Sequence, residues 1–174
     1  MNTAAQWPFQ LDLGGNDGIR VTMIRKATIW DVEPVYELLQ NYGQRGELLS
    51  RPLSQLYDHL RDFSVFVDDG DETVVGCCAL QICWKDTAEI RSLAVHSKHV
   101  GRKIGSALAE TVIAEADALG IRKVFTLTYR PEFFGPFGFV EIDRSELPLK
   151  IWGDCLSCVK FPDCDETAMM RKMG

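Results

Sequence analysis

The stretch from Glu89 to Leu108 carries charged side chains and a glycine-bearing turn where a strand gives way to a helix. Backbone N–H groups of such a turn converge on one spot, and the positive end of the helix dipole lies at the same spot. The turn holds Gly101 and Gly105, and the basic residues Arg102 and Lys103 lie between them. This combination predicts a site for a phosphate or pyrophosphate group.

Two charged residues precede that turn on the strand. Glu89 is a candidate general base, acting directly or through water; the alternative is a solvated or ion-paired carboxylate. Arg91 could hold a substrate carboxylate through a bidentate contact or form a salt bridge with Glu89. Because side chains alternate along a strand, we predict two faces. One face carries Glu89, Arg91, Leu93 and Val95, and the other carries Ile90, Ser92 and Ala94.

Composition limits the class of protein. The chain has 174 residues, is 46% hydrophobic and has a formal net charge of -6, which favours one globular domain and disfavours a general nucleic-acid binder. No apolar stretch approaches the roughly 20 residues that span a bilayer, and a secretory signal is not evident, so a cytoplasmic protein is expected. The local basic patch of Lys98, Arg102 and Lys103 suits a small anionic ligand better than a polymer.

The elements that must position these residues can be predicted from periodicity and turn signals. We expect a flexible leader at 1–18 and one domain at 19–174 with a cysteine-containing C-terminal segment at 147–174. Asp31 is expected to cap the first helix, and Gly120 is expected to end the helix after the glycine turn. That helix should bury Ile104, Leu108, Thr111 or Val112, Ala116 and Leu119. The predicted elements are a strand at 20–26, helices at about 31–42 and 54–61, strands at 64–68, 73–84, 87–96 and 124–128, a compact aromatic turn at 131–139, and a strand from about 140. This is a mixed α/β (α+β) fold around a mostly antiparallel sheet.

This order resembles the GNAT superfamily of acetyl-CoA-dependent N-acetyltransferases, over roughly Val21 to Ile142. In that family a strand leads into a pyrophosphate loop with the pattern Q/R-x-x-G-x-G/A. Here Val100 stands where Gln or Arg is usual, and Lys103 replaces the first motif glycine. Both departures are mild, because the ligating groups of such a loop are mainly backbone amides.

The resemblance implies acetyl-CoA as cosubstrate and a set of contacts for it. A backbone N–H near Leu93 or Ala94 would polarise the acetyl carbonyl, and Leu93 and Val95 would pair with the pantetheine amides like an added strand. The implied cofactor residues are Leu93, Ala94, Val95, Val100, Gly101, Arg102, Lys103, Ile104, Gly105, Ser106 and Phe134. Many relatives carry a tyrosine at the position of Phe134, where it protonates the departing thiolate. Tyr129 is the nearest substitute here, and water is the alternative.

Three segments extend the resemblance to the short, stand-alone amino-acid N-acetyltransferases, which are N-acetylglutamate synthases. They are Ile24–Thr28, Arg51–Phe63 and Leu147–Met169. This likeness implies acetylation of the α-amine of L-glutamate in arginine biosynthesis, with Arg51 as a second clamp for substrate carboxylate and a possible homodimer. Two alternatives remain open: another amine acceptor (glutamine, a polyamine or a protein N-terminus), and a non-catalytic regulator that binds acyl-CoA or arginine.

Six cysteines complete the set of reactive residues. Cys155, Cys158 and Cys164 form C-x2-C-x5-C, which lacks the fourth ligand of a typical structural zinc site. Buried or partner-facing thiols are therefore favoured over metal binding and over a redox role, and no metal is assigned to the site. No cysteine forms a Cys/His nucleophile pattern, so we expect direct attack of the amine on the thioester.

Overall fold

The computed structural model describes residues 23–68, 73–148 and 163–174. Its strands are β1 (Met23–Lys26), β2 (Phe63–Asp68), β3 (Thr73–Trp84), β4 (Thr87–Val95), β5 (Lys123–Thr128), β6 (Val140–Glu141) and β7 (Thr167–Lys172). Its α-helices are α1 (Val32–Gly43), α2 (Leu53–Asp58), α3 (Ile104–Ala118) and α4 (Pro131–Phe134). The leader predicted at 1–18 lies outside the described residues.

The strands form one sheet in the order β1-β2-β3-β4-β5-β7-β6. Every neighbouring pair in this order is antiparallel except β4 and β5, which run parallel. The parallel pair follows from the chain path, because α3 is the crossover between β4 and β5. The predicted mixed fold with a mostly antiparallel sheet is confirmed.

Each face of the sheet is covered by its own helices. On one face, α3 buries Ile104, Leu108, Val112 and Ala116 against the sheet, as its apolar stripe predicts. On the other face, α1 and α2 bury Val35, Leu38, Leu39 and Leu56 against β2 and β3. Among the described residues, no helix is both long enough and apolar enough to cross a membrane.

Two details of the helices differ from the prediction. Leu119 was expected in the α3 stripe but is 54% exposed, because α3 already ends at Ala118 and Gly120 takes a left-handed φ of +73°. The second helix is shorter than expected: α2 ends at Asp58, and a 3-10 turn at Leu60–Asp62 replaces its last turn.

Asp31 does not cap α1 through its side chain. Its carboxylate instead accepts hydrogen bonds from the backbone N–H of Thr28 at 2.6 Å and from the Thr28 hydroxyl at 2.8 Å. Arg25 on β1 donates to both carboxylate oxygens, at 2.6 and 2.9 Å. Burial raises the pKa of Asp31, but the hydrogen bonds from Arg25 and Thr28 outweigh it and leave that pKa below its ordinary value. Asp31 therefore fixes the turn between β1 and α1.

The C-terminal segment contributes a strand whose place in the sheet the sequence did not indicate. β7 lies between β5 and β6 and buries Ala168, Met169 and Met170. Residues 149–162 of this segment, which include Cys155 and Cys158, lie outside the described residues, so their role stays a prediction.

Candidate active site

Ser92 interrupts the alternation of β4. It has a φ of +55°, and the register passes from Ala79↔Arg91 to Cys77↔Ala94, so Cys78 alone faces two residues of β4. This is a β-bulge, and one extra residue moves all later side chains to the opposite face. Leu93 and Val95 pack with the α3 cluster, whereas Ala94 joins the α1/α2 cluster. The predicted grouping of Leu93 and Val95 with Glu89 and Arg91 is therefore wrong.

Glu89 and Arg91 do share a face, which is opposite to α3. Glu89 lies in a cross-strand row between Gln81 and Phe125, and Arg91 lies opposite Ala79. Both are almost fully buried, with exposed fractions of 8% and 9%. Charged groups are rarely buried to this extent unless they are paired or functional.

β4 and β5 separate beyond Glu89. Their pairing consists of three positions, Thr87↔Lys123, Ala88↔Val124 and Glu89↔Phe125, although β4 continues to Val95. The N–H of His96 donates to the Val75 carbonyl of β3 at 2.8 Å. The gap left between β4 and β5 beyond Glu89 is called the opening. Backbone groups alternate along a strand, so the N–H and C=O of Val95 point away from β3 and toward this opening. The second half of β4 thus presents main-chain donors and acceptors to the opening between the strands.

The predicted pyrophosphate loop follows β4 directly. A 3-10 turn at Ser97–His99 leads to Gly101, with a φ of +87°, and to Lys103, which precedes α3 with a φ of +59°. The loop thus keeps the left-handed conformation at the position where the family pattern has glycine. A lysine in this conformation costs about 1–2 kcal/mol. Lys103 therefore adopts a conformation that suits glycine, at some cost in stability.

The second motif glycine packs beneath an aromatic side chain. A Cβ on Gly105 would lie 3.6 Å from the Phe133 ring and 3.7 Å from the Val95 side chain, which is ordinary contact. Alanine would therefore fit, as the family pattern allows. Phe133 is a half-buried neighbour of the loop, and its expected packing around the cofactor or in the core stays a prediction where the cofactor is concerned.

Arg102 of the loop is held by an acidic residue at the end of β2. Its guanidinium lies 3.4 Å from an Asp68 carboxylate oxygen and 2.8 Å from Nδ1 of His99. Nδ1 of His99 lies 3.5 Å from the same Asp68 oxygen. Asp68 therefore offsets part of the positive charge that the loop presents to an anion.

The aromatic turn places Phe134 in the core. Its exposed fraction is 5%, and its ring centroid lies 5.0 Å from that of Phe133 and 5.5 Å from that of Phe139. Direct contact of Phe134 with a cofactor stays a prediction. Tyr129 is half-buried and directly follows β5, at the side of the opening across from β4, and its role as general acid also stays a prediction.

Arg51 lies in the segment that connects α1 with α2. Its carbonyl accepts a hydrogen bond from the Gln40 side chain at 3.4 Å, and its guanidinium donates to the Gln55 side chain, also at 3.4 Å. Its role as a carboxylate clamp stays a prediction. Tyr42, at the end of α1, was missed: its hydroxyl donates to the Val95 carbonyl at 2.5 Å. In the sequence it is one of two tyrosines in an amphipathic helix, and no local pattern distinguishes it from Tyr36.

Two cysteines beneath the site are unsuited to nucleophilic catalysis. Burial raises the pKa of the Cys77 thiol to about 12 and raises the pKa of Cys78 well above its ordinary value. Such thiols remain protonated and behave as small apolar groups. Among the residues that the structure describes, no group of three or more His, Cys, Asp or Glu could hold a metal ion.

Comparisons of the sequence with known proteins identify relatives of this chain. Residues 32–135 match the acetyltransferase (GNAT) family. An uncharacterized N-acetyltransferase of Chlorobaculum tepidum is 37% identical over 152 residues, covering 87% of this chain and 97% of the relative. An amino-acid acetyltransferase of Mycobacterium tuberculosis is 33% identical over 133 residues, covering 76% of each protein.

Solved structures show the same architecture. N-acetylglutamate synthase of Neisseria gonorrhoeae, complexed with coenzyme A and N-acetyl-glutamate, superposes with a TM-score of 0.79 at 28% identity. The match covers 88% of this chain but 35% of that larger protein. A Mycobacterium tuberculosis protein in complex with CoA gives a TM-score of 0.75 at 28% identity and covers 87% of this chain and 99% of that chain. The chain belongs to the GNAT family of acetyltransferases and is an N-acetyltransferase.

Proposed function

We propose that this enzyme transfers the acetyl group of acetyl-CoA to the α-amine of L-glutamate, as in arginine biosynthesis. The observation that carries the proposal is the buried pair Glu89 and Arg91 at the closed end of the opening between β4 and β5. A base and a cation side by side suit an acceptor that has both an amine and a carboxylate. The amino-acid acetyltransferase relatives and the neighbour bound to N-acetyl-glutamate support the same substrate class.

The loop and the second half of β4, which does not pair with β5 and is called its open half, fit acetyl-CoA. Gly101 and Lys103 hold the backbone path that a pyrophosphate loop needs, and the amides of α3's first turn suit phosphate oxygens. The outward-facing main chain of Leu93 and Val95 can pair with the amides of the pantetheine arm. The reactive thioester would then lie near the bulge at Ser92, on the side of Glu89.

The reaction needs a neutral amine, a polarised carbonyl and a proton for the leaving thiolate. Glu89 takes a proton from the substrate ammonium, directly or through water. The amine nitrogen forms a bond to the acetyl carbon as the carbon–sulfur bond breaks. A backbone N–H at Leu93 or Ala94 stabilises the developing oxyanion. The nitrogen then loses a second proton to water, and Tyr129 or water gives one proton to the thiolate. Because the amine attacks the thioester directly, no covalent intermediate on the enzyme is required.

Arg91 and Arg51 are the proposed contacts for the two carboxylates of glutamate. Arg91 is buried beside the base, and Arg51 lies on the connection between α1 and α2. A bidentate arginine contact with a carboxylate is worth about 1.5–3 kcal/mol. Two cations in the site would select an acidic acceptor over a polyamine, which requires carboxylates instead.

The test is coenzyme A release from acetyl-CoA by the purified protein across amino acids, polyamines and N-terminal peptides. Turnover confined to glutamate, or to glutamate and glutamine, supports the proposal. Replacement of Arg51 or Arg91 by Ala should raise KM for glutamate about 10- to 100-fold with little change in KM for acetyl-CoA. Arg61→Ala, at an exposed position, is the matched control. Turnover of another amine alone would overturn glutamate as the acceptor.

A further inference from the structure

Tyr42 joins the end of α1 to the open half of β4. The ring is half-buried, and its hydroxyl donates a hydrogen bond of 2.5 Å to the Val95 carbonyl. That carbonyl points away from β3, because the adjacent His96 N–H points toward β3. β5 no longer pairs with β4 at this level. The hydroxyl of Tyr42 therefore lies at the opening between the two strands.

Tyr42 is itself held in place. Its own carbonyl accepts the N–H of Arg45 at 3.2 Å and the N–H of Glu47 at 3.1 Å. The Arg45 guanidinium lies over the Tyr42 ring, 4.6 Å from its centroid. The ring is thus fixed before any ligand arrives, which is the condition for a residue that positions another group.

We propose that Tyr42 is a positioning residue for the pantetheine arm of the cofactor. A carbonyl oxygen has two lone pairs, so Val95 can accept from Tyr42 and from an amide of the arm together. The tyrosine holds this carbonyl in the direction from which the arm binds. The inference rests on acetyl-CoA being the cofactor and is independent of glutamate as the acceptor.

The alternative is that Tyr42 only ties α1 to the sheet. Loss of its hydroxyl would then lower stability and weaken every ligand of the cofactor site alike. The two roles can be distinguished because the proposal assigns the two parts of CoA to different elements. The pantetheine part would lie along β4, and the adenosine part with its phosphates would lie at the loop. The adenosine part, available alone as 3′-phospho-ADP, carries the phosphates, whereas the pantetheine part carries the amides.

The experiment compares Tyr42→Phe with Tyr36→Phe by calorimetric titration of CoA and of 3′-phospho-ADP, with thermal unfolding as a check of folding. Tyr36 is the matched control, since it lies on the same helix and is half-buried against the α1/α2 cluster. Tyr42→Phe should weaken CoA binding by about three- to tenfold, the range for one hydrogen bond, and leave 3′-phospho-ADP binding unchanged. Tyr36→Phe should change neither.

Equal weakening of both ligands in Tyr42→Phe, or unchanged CoA binding, would overturn the positioning role. Wild-type protein that binds CoA but fails to turn over glutamate would overturn the proposed acceptor and leave this inference standing. In steady-state kinetics, the same variant should raise KM for acetyl-CoA more than it lowers kcat. A general structural defect would not raise KM for acetyl-CoA more than it lowers kcat.

Discussion

The two halves of β4 differ in what they offer to a substrate. From Thr87 to Glu89 the strand is paired on both sides, with β3 and with β5. At Ala94 and Val95 it is paired with β3 alone, and its other edge faces the opening. In the proposed mechanism the closed half contributes side chains, namely Glu89 and, just beyond the pairing, Arg91. The open half contributes main-chain groups. The bulge at Ser92 lies between the part of β4 that offers side chains and the part that offers main-chain groups.

The largest expected effect tests the closed half. Glu89→Gln keeps the shape of the side chain and removes the proposed base, so kcat should fall by about 10²- to 10³-fold while the dissociation constant for CoA stays unchanged. Steady-state kinetics and calorimetry measure the two quantities. Glu110→Gln, at an exposed position on α3, is the matched control and should leave both quantities unchanged. A Glu89→Gln enzyme with full kcat would remove Glu89 from the mechanism.

The next prediction concerns the packing of α3 against β3 at Gly76, beside the open half of β4. Gly76 pairs with Val95, and a Cβ there would lie 3.0 Å from Ile104 and 3.0 Å from Leu108 of α3. Gly76→Ala should push α3 away from the strand and lower the free energy of unfolding by about 1–3 kcal/mol. CoA binding should weaken as well, because Ile104 begins the helix that follows the loop.

Gly135→Ala provides the control for that measurement. A Cβ at Gly135 has no neighbour within 4 Å, and its φ of −51° suits any residue. Urea denaturation should show a change of less than about 0.5 kcal/mol. If Gly76→Ala changes the free energy of unfolding as little as Gly135→Ala does, the close approach of α3 to β3 does not require a glycine at position 76.

A third substitution tests whether the open half of β4 responds to changes elsewhere. Asp31→Asn weakens the contacts with Arg25 and Thr28 and should lower the unfolding free energy by about 1–2 kcal/mol at about pH 7. Asp31 has a lowered pKa in the folded protein, so its stabilisation is complete above the pKa of the unfolded chain, about 3.9. It disappears as the pH falls through the lower folded pKa.

The difference between wild type and Asp31→Asn in urea denaturation should therefore shrink at about pH 3. CoA binding at about neutral pH should be the same in both proteins, since Asp31 lies in the turn between β1 and α1. Weaker CoA binding in Asp31→Asn would show that the open half of β4 is coupled to the β1–α1 turn.

The smallest effect concerns the loop. Lys103→Gly should relieve the left-handed strain and raise the unfolding free energy by up to about 1 kcal/mol, part of the gain being offset by backbone entropy. Lys98→Gly is the control, because Lys98 is exposed and its φ is not positive, so glycine there should give no gain. A Lys103→Gly protein that is less stable than wild type would mean that the lysine side chain contributes more than its backbone costs.

Much of this fold could be predicted from local patterns. The bounds of β3 at Thr73–Trp84 and the burial of Ile104, Leu108, Val112 and Ala116 match the prediction, because strand and helix periodicities act within a few residues. The faces of β4 could not be predicted throughout, because a single bulged residue reverses the alternation and Ser92 carries no signal for it. The insertion of β7 between β5 and β6 depends on pairing across distant parts of the chain.

The sequence alone determined the mixed fold, the glycine-bearing turn that is the candidate pyrophosphate loop, and the candidate base and arginines. These depend on residue type and short spacing, which act locally. Only the tertiary structure decided that β4 opens beyond Glu89, that Leu93 and Val95 turn toward α3, and that Tyr42 contacts Val95. Such features arise from strand register and from packing between elements far apart in the chain, and no local pattern of residues specifies them.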